Sequence, residues 1–144
     1  MSNVETFEDA FNFLCHEVLG QGVHRKVFTC RFREDLVVKV EDNGDHAMRS
    51  FANVREFDFY NYWRDYEPVA RWLAPCEYLS PDGRIMLQKR VDPIPSDFKL
   101  PDMLPSFLTD HKKTNFGIYE GRLVCVDYAT VIHAKNIKPR KAYW

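Results

Sequence analysis

The chain is 144 residues long, 45% apolar and 28% charged, with 20 Lys and Arg against 21 Asp and Glu for a formal charge of −1. That is the composition of one folded domain, which at this length buries roughly 68–70% of its unfolded surface around a single core. It excludes a disordered chain and a general electrostatic pull toward nucleic acid or an anionic membrane, and any fold that needs a long second lobe has to be cut down here.

Aromatic residues make up 15% of the chain, which points to a core of large, stiff side chains. The cysteines, Cys15, Cys30, Cys76 and Cys125, form no C-x-x-C pair and have no histidine at zinc spacing. They read as reduced thiols of a cytoplasmic protein. The N-terminus has neither a basic nor an apolar leader region, so no signal peptide is expected. No run approaches the ~18 apolar residues of a membrane span.

Thr6 predicts the start of a helix, with Asp9 three residues on as a weak capping box. Phe7, Phe11, Leu14 and Val18 follow at helical spacing until Gly20 and Gly22 end the pattern. Residues 26–32 predict a strand, 33–35 its turn, and 36–41 (Leu-Val-Val-Lys-Val-Glu) a second strand rich in β-branched residues. Asp42, Asn43, Gly44 and Asp45 have loop chemistry. Residues 46–66 lack Gly and Pro and predict a long helix with Met48, Phe51, Ala52, Phe59 and Trp63 on one face and Arg55 and Glu56 on or beside it. Pro68 stops that helix, and residues 69–73 predict a short helical piece.

Residues 76–79 and 84–91 predict two strands joined by a type I turn at Ser80, Pro81, Asp82 and Gly83. Pro93, Pro95, Pro101 and Pro105 make the next segment irregular, with at most one short helix near 103–108. Residues 118–119 and 122–126 predict a hairpin around Glu120 and Gly121. The basic tail from Lys135 ends on Tyr143 and Trp144 and reads either as docking surface or as a disordered end.

Four segments carry candidate chemistry. Gly20 and Gly22 lie between two predicted strands, where backbone can approach a phosphate closely, although a plain β-turn needs no more. Lys39 interrupts an apolar strand, either as a solvated edge lysine or as a lysine held over ligand phosphates. Glu56 lies on the apolar side of the long helix, either solvated or paired with Lys39. Asp110 is followed five residues on by Asn115 and, twelve beyond that, by Asp127 at a strand end. Asn115 and Asp127 are hard oxygen ligands suited to Mg²⁺, or else turn formers.

In this order the segments resemble the protein-kinase fold over roughly residues 17–130. Gly20 and Gly22 match the first two glycines of the phosphate loop and Val27 its closing valine. Lys39 matches the strand lysine, Glu56 its helix partner, Asp110 the catalytic aspartate, Asn115 the asparagine that follows it, and Asp127 the metal aspartate. Lys112 lies two residues after Asp110, as in Ser/Thr-type protein kinases. The departures are Arg25 at the third glycine, Leu108 at the catalytic-loop histidine, and Tyr128 and Ala129 after the metal aspartate.

The resemblance implies an α+β fold: a kinase-like N-lobe antiparallel sheet with one long helix, a minimal catalytic-loop and metal-loop β-hairpin, and little or no helical C-lobe. Residues 1–144 are read as one domain, with an N-lobe-like part at 1–91, a reduced C-lobe at 92–130 and a basic tail at 131–144. Only 17 residues follow Asp127, which leaves no space for an activation loop and helical lobe. Its implied cofactors are ATP and Mg²⁺. Gly20, Gly22, Val27 and Lys39 would bind the nucleotide, Glu56 would hold Lys39, Asn115 and Asp127 would hold the metal, and Asp110 and Lys112 would serve transfer of the γ-phosphate to a hydroxyl, most readily of a protein. The other reading is a pseudokinase-like module that binds and regulates a partner protein without phosphoryl transfer. A second copy supplying the missing lobe, as a homodimer, is a further expectation. Neither nucleic acid nor membrane is expected as a partner.

Overall fold

The order of β-rich segments in the sequence becomes one antiparallel sheet. The computed structural model describes residues 3–41 and 50–144. Strands β1 (Cys15–Gln21), β2 (Lys26–Cys30), β3 (Leu36–Val40), β4 (Cys76–Leu79) and β5 (Ile85–Lys89) lie in the spatial order β1-β2-β3-β5-β4. β3 is central and buried along its whole length. Side chains alternate across a strand, so Leu36, Val38 and Val40 share one face, where they pack with Phe28, Ile85 and Phe7 of helix α1 (Asn3–Leu14). Lys39 therefore faces the opposite way, toward helix α2 (Ala52–Trp63).

A second core lies on that opposite side. Phe59 of α2, Val69 of the short helix α3 (Glu67–Ala70), Met86, Leu104, Phe116, Leu123 and Tyr128 are buried together. It is closed from below by a two-stranded pair, β6 (Met103–Pro105) with β9 (Pro139–Lys141), and by a hairpin, β7 (Phe116–Tyr119) with β8 (Arg122–Cys125). Glu120 and Gly121 both have positive φ, 50° and 79°, the pairing that a tight two-residue hairpin turn requires. The fold is thus α+β, with a five-stranded antiparallel sheet and few helices. Among the described residues, none after α3 is α-helical, and no helix is long and apolar enough to cross a membrane. All four cysteines are buried and free.

Several elements differ from the sequence reading. The first helix begins at Asn3 and ends at Leu14, because Cys15 already pairs with Cys30. Val18 lies in β1 opposite Phe28, so its helical spacing from Leu14 is incidental. The long helix has its described start at Ala52; Asp42, Asn43, Gly44, Asp45 and Met48 lie outside the described residues. Phe51 precedes α2 with φ 55° and is exposed, so the buried face is Ala52, Asn53, Glu56 and Phe59. The helix stops at Trp63, and Pro68 instead occupies the first turn of α3, where a missing N–H costs nothing. The expected helix near 103–108 is β6, a short edge strand that tolerates Pro105. Its partner is the tail, which is ordered: the Trp144 indole donates to the Pro101 carbonyl at 2.9 Å, and Tyr143 stacks on His111.

Candidate functional site

A cleft of about 970 Å³ opens between the loop after β1, the Lys39 face of the sheet, the segment after β5 and the loops on either side of the β7–β8 hairpin. Lys39 is only 4% exposed at its back wall. A lysine buried there needs a partner, and α2 supplies it: Glu56 Oε1 lies 2.5 Å from the Lys39 ammonium, which also donates to the Val126 carbonyl. Helical spacing sets this up, since Ala52, Asn53, Glu56 and Phe59 share the inward face of α2.

Glu56 is fully buried and heavily partnered. Besides Lys39, it accepts from Arg25 Nη1 at 3.1 Å, Arg25 Nη2 at 3.2 Å, Gln88 Nε2 at 3.4 Å and the Tyr128 backbone N–H at 2.7 Å. Burial pushes its carboxyl upward, but the charges and hydrogen bonds of Lys39 and Arg25 outweigh that and hold it below the usual range.

Arg25 spans the cleft. Its Nη2 donates to Asp127 Oδ1 at 2.9 Å and its Nη1 to Asn53 Oδ1 at 3.2 Å, in addition to both Glu56 oxygens, and its side chain is 9% exposed. Burial disfavours the guanidinium's charge, but Glu56 and Asp127 more than offset that and raise its pKa. Asn53 also ties the sheet to the helix, donating to the Lys39 carbonyl at 3.0 Å and the Arg84 carbonyl at 3.1 Å. Its own N–H, in the first turn of α2, donates to Glu41 Oε1 at 2.5 Å. A side chain from the end of β3 thus satisfies a helix-start donor that Phe51 cannot.

The lower wall is one connected loop system. The Lys112 N–H donates to Asp110 Oδ1 at 3.3 Å, the Lys112 ammonium lies 3.5 Å from Oδ2, and Asn115 Nδ2 donates to the Asp110 carbonyl at 3.4 Å. The Val126 N–H donates to the Asn115 carbonyl at 2.8 Å, linking this loop to the chain that carries Asp127. Asp110 is half exposed; its slight burial raises its carboxyl, but the Lys112 N–H, Asn115 and the Lys112 charge lower it overall, so it is ionised at neutral pH. Tyr128 anchors the next residue in the core, with its hydroxyl donating to the Ala74 carbonyl at 2.7 Å.

Most of the predicted site residues therefore gather in one place. Gly22, Val27, Lys39, Lys112, Asn115 and Asp127 line the cleft, and Glu56 stands behind Lys39. Asp110, bonded by the Lys112 N–H, and Gly20, within β1 opposite Val27, are not among the residues that line it. A Cβ at Gly20 would meet nothing within 4 Å, one at Gly22 would meet only the Arg25 carbonyl at 3.8 Å, and neither residue has positive φ. The fold alone does not demand glycine at either position, and of the two only Gly22 lines the cleft.

Sequence reasoning missed Asn53, the contact of Gln88 with Glu56 and the reach of Arg25. Asn53 carried a usable signal, since it lies three residues before Glu56 on the same helical face. Among the described residues, no group of three or more His, Cys, Asp or Glu converges. Mg²⁺ is commonly held by one or two carboxylates plus phosphate oxygens, and Asn115 and Asp127 are the available donors. With the Arg25 guanidinium on Asp127, however, that pair does not fit a dication as arranged. The chemistry on offer is anion binding by cations. Compared with known proteins, the chain matches no protein-family model and no curated protein.

Proposed function

We propose that this chain is a minimal kinase-like phosphotransferase, which binds ATP in the cleft and passes its γ-phosphate to a hydroxyl of an acceptor, most readily a protein. The observation that carries this reading is the buried Lys39–Glu56 pair facing the same cleft as Lys112, Asn115 and Asp127. Gly22 leaves room for phosphates, and Lys39, fixed by Glu56, meets the α- and β-phosphates. Asp110, ionised, accepts the hydrogen bond of the acceptor hydroxyl, aligns its oxygen with the γ-phosphorus and takes its proton as the new bond forms. The new O–P bond forms as the bond to the β-phosphate oxygen breaks, and ADP leaves. Lys112 offsets charge on the transferring group, so catalysis is positioning and electrostatics.

A second reading keeps the cleft and drops the transfer: a pseudokinase-like module that binds a partner protein. Arg25 favours it, because the guanidinium occupies the carboxylate of Asp127.

Thermal unfolding with and without Mg-ATP separates the possibilities. Ligand at ~100 times Kd adds about 2.7 kcal/mol, a rise of roughly 5–10 °C for a chain of this size. Lys39→Met should abolish the rise. Asp110→Asn should keep it while losing phosphate transfer, which is the outcome the enzyme reading needs. A rise in the wild type with no transfer to any acceptor, and none lost in Asp110→Asn, supports the binding module. No rise in the wild type rejects nucleotide binding altogether.

A further inference from the structure

We propose that Arg25 is the resident cation of this cleft, doing at Asp127 the electrostatic work of a divalent metal, so that the cleft takes a nucleoside triphosphate without one. The inference rests on the nucleotide-binding reading above and concerns the form in which the nucleotide is bound. Four observations support it.

First, the contact is direct: Arg25 Nη2 donates to Asp127 Oδ1 at 2.9 Å, on the carboxylate that would otherwise face a metal. A dication on the same carboxylate, which is half exposed, would sit beside a guanidinium that is itself largely buried, and like charges at that range repel.

Second, Arg25 is held in place and is not a surface side chain resting in the cleft by chance. It makes bonds to Asn53 and to both oxygens of Glu56 as well as to Asp127, and its side chain is 9% exposed. Glu56 is fully buried between Lys39 and Arg25, so withdrawing the guanidinium would leave that carboxylate with one cation in place of two.

Third, the lining carries more basic than acidic side chains. Arg25, Lys39, Arg55, Lys89, Arg90 and Lys112 line the cleft against Glu34, Asp92 and Asp127, with the buried Glu56 behind Arg25 and Lys39. A triphosphate whose charge is not already reduced by a metal gains most from such walls.

Fourth, the geometry of the loop brings Arg25 there. The Gly22 N–H donates to the Arg25 carbonyl at 2.8 Å, closing a tight turn that points the side chain across the cleft to α2 and Asp127. A glycine at position 25 would leave Asp127 without this neighbour.

Calorimetric titration of ATP into the wild-type chain, in excess EDTA and again in excess MgCl₂, tests this directly. The expected result is a Kd that differs between the two by no more than about threefold. Arg25→Gly should make binding metal-dependent, with Mg²⁺ tightening ATP by on the order of tenfold or more, while Arg25→Lys, which keeps the charge, should stay closer to the wild type. If Arg25→Gly proves unfolded by circular dichroism, the wild-type comparison still decides. Wild-type binding that weakens by about tenfold or more in EDTA overturns the inference and leaves the proposed nucleotide function standing. A folded wild type that binds ATP in neither buffer overturns the nucleotide reading, and the inference with it.

Discussion

Glu56 is a carboxylate with no exposure that stays ionised, because two cations and a backbone N–H surround it. Removing its charge leaves Lys39 and Arg25 buried side by side, so Glu56→Gln should cost about 3–5 kcal/mol in urea denaturation at neutral pH. Lys39→Met should cost less, because Arg25 still serves Glu56; the reverse order would contradict this account of the cluster. The acid limb follows from the sign of the shift. The folded pKa of Glu56 is lowered, so its contribution is complete above the unfolded value of about 4.3 and disappears as pH falls through the folded value. Wild-type stability should therefore drop below about pH 4.3 more steeply than that of Glu56→Gln, read from urea midpoints. Lys39 and Glu56 are visible in the sequence because each breaks an apolar pattern. Arg25 is not, because its partners Glu56 and Asp127 lie 31 and 102 residues away.

Among the elements, the β7–β8 hairpin joins the two loops that line the cleft, and it is docked by backbone pairing to the segment after β5. Asp92 and Ile118 exchange N–H donors at 2.8 Å in both directions. That approach is close enough to need Gly117: a Cβ there would fall 2.9 Å from the Asp92 carbonyl oxygen and would also collide with the Val91 side chain. Gly117→Ala should thus destabilise by about 1–3 kcal/mol in urea denaturation. Adding Val91→Ala should recover only part, since the Asp92 carbonyl remains; full recovery would place the strain on the side chain alone. The hairpin itself is legible in the sequence through Glu120 and Gly121, as are β3 and β5 through their apolar residues. The β6–β9 pair is not, because three residues beside prolines signal nothing until Met103 meets Lys141. The boundary of α1 fails for a related reason: Cys15 to Gln21 has no strong local preference, and the ladder with β2 decides it.

At the scale of the whole molecule, the sheet divides two cores, with α1 covering one face and the cleft opening on the other. The composition conceals this polarity, since a near-neutral chain turns a cationic wall inward toward the proposed nucleotide. Several of those cations are already engaged, Lys39 and Arg25 with Glu56, and Lys89 with Asp35 at 3.0 Å and with Glu77 at 2.7 Å. Lys112, exposed at the rim, and Arg90 face solvent and ligand alike. Their attraction to phosphate acts across water and is open to screening, unlike the buried contact of Lys39 with Glu56. Raising salt shortens the screening length from about 10 Å at 0.1 M to about 3 Å at 1 M. ATP affinity should then fall by on the order of tenfold, with ADP falling less and AMP least. Titrations of the three nucleotides across that salt range give the comparison. An equal response from all three would mean that the cationic lining does not recognise the phosphate chain, whereas a graded one follows if each added phosphate meets a further screened cation along the cleft.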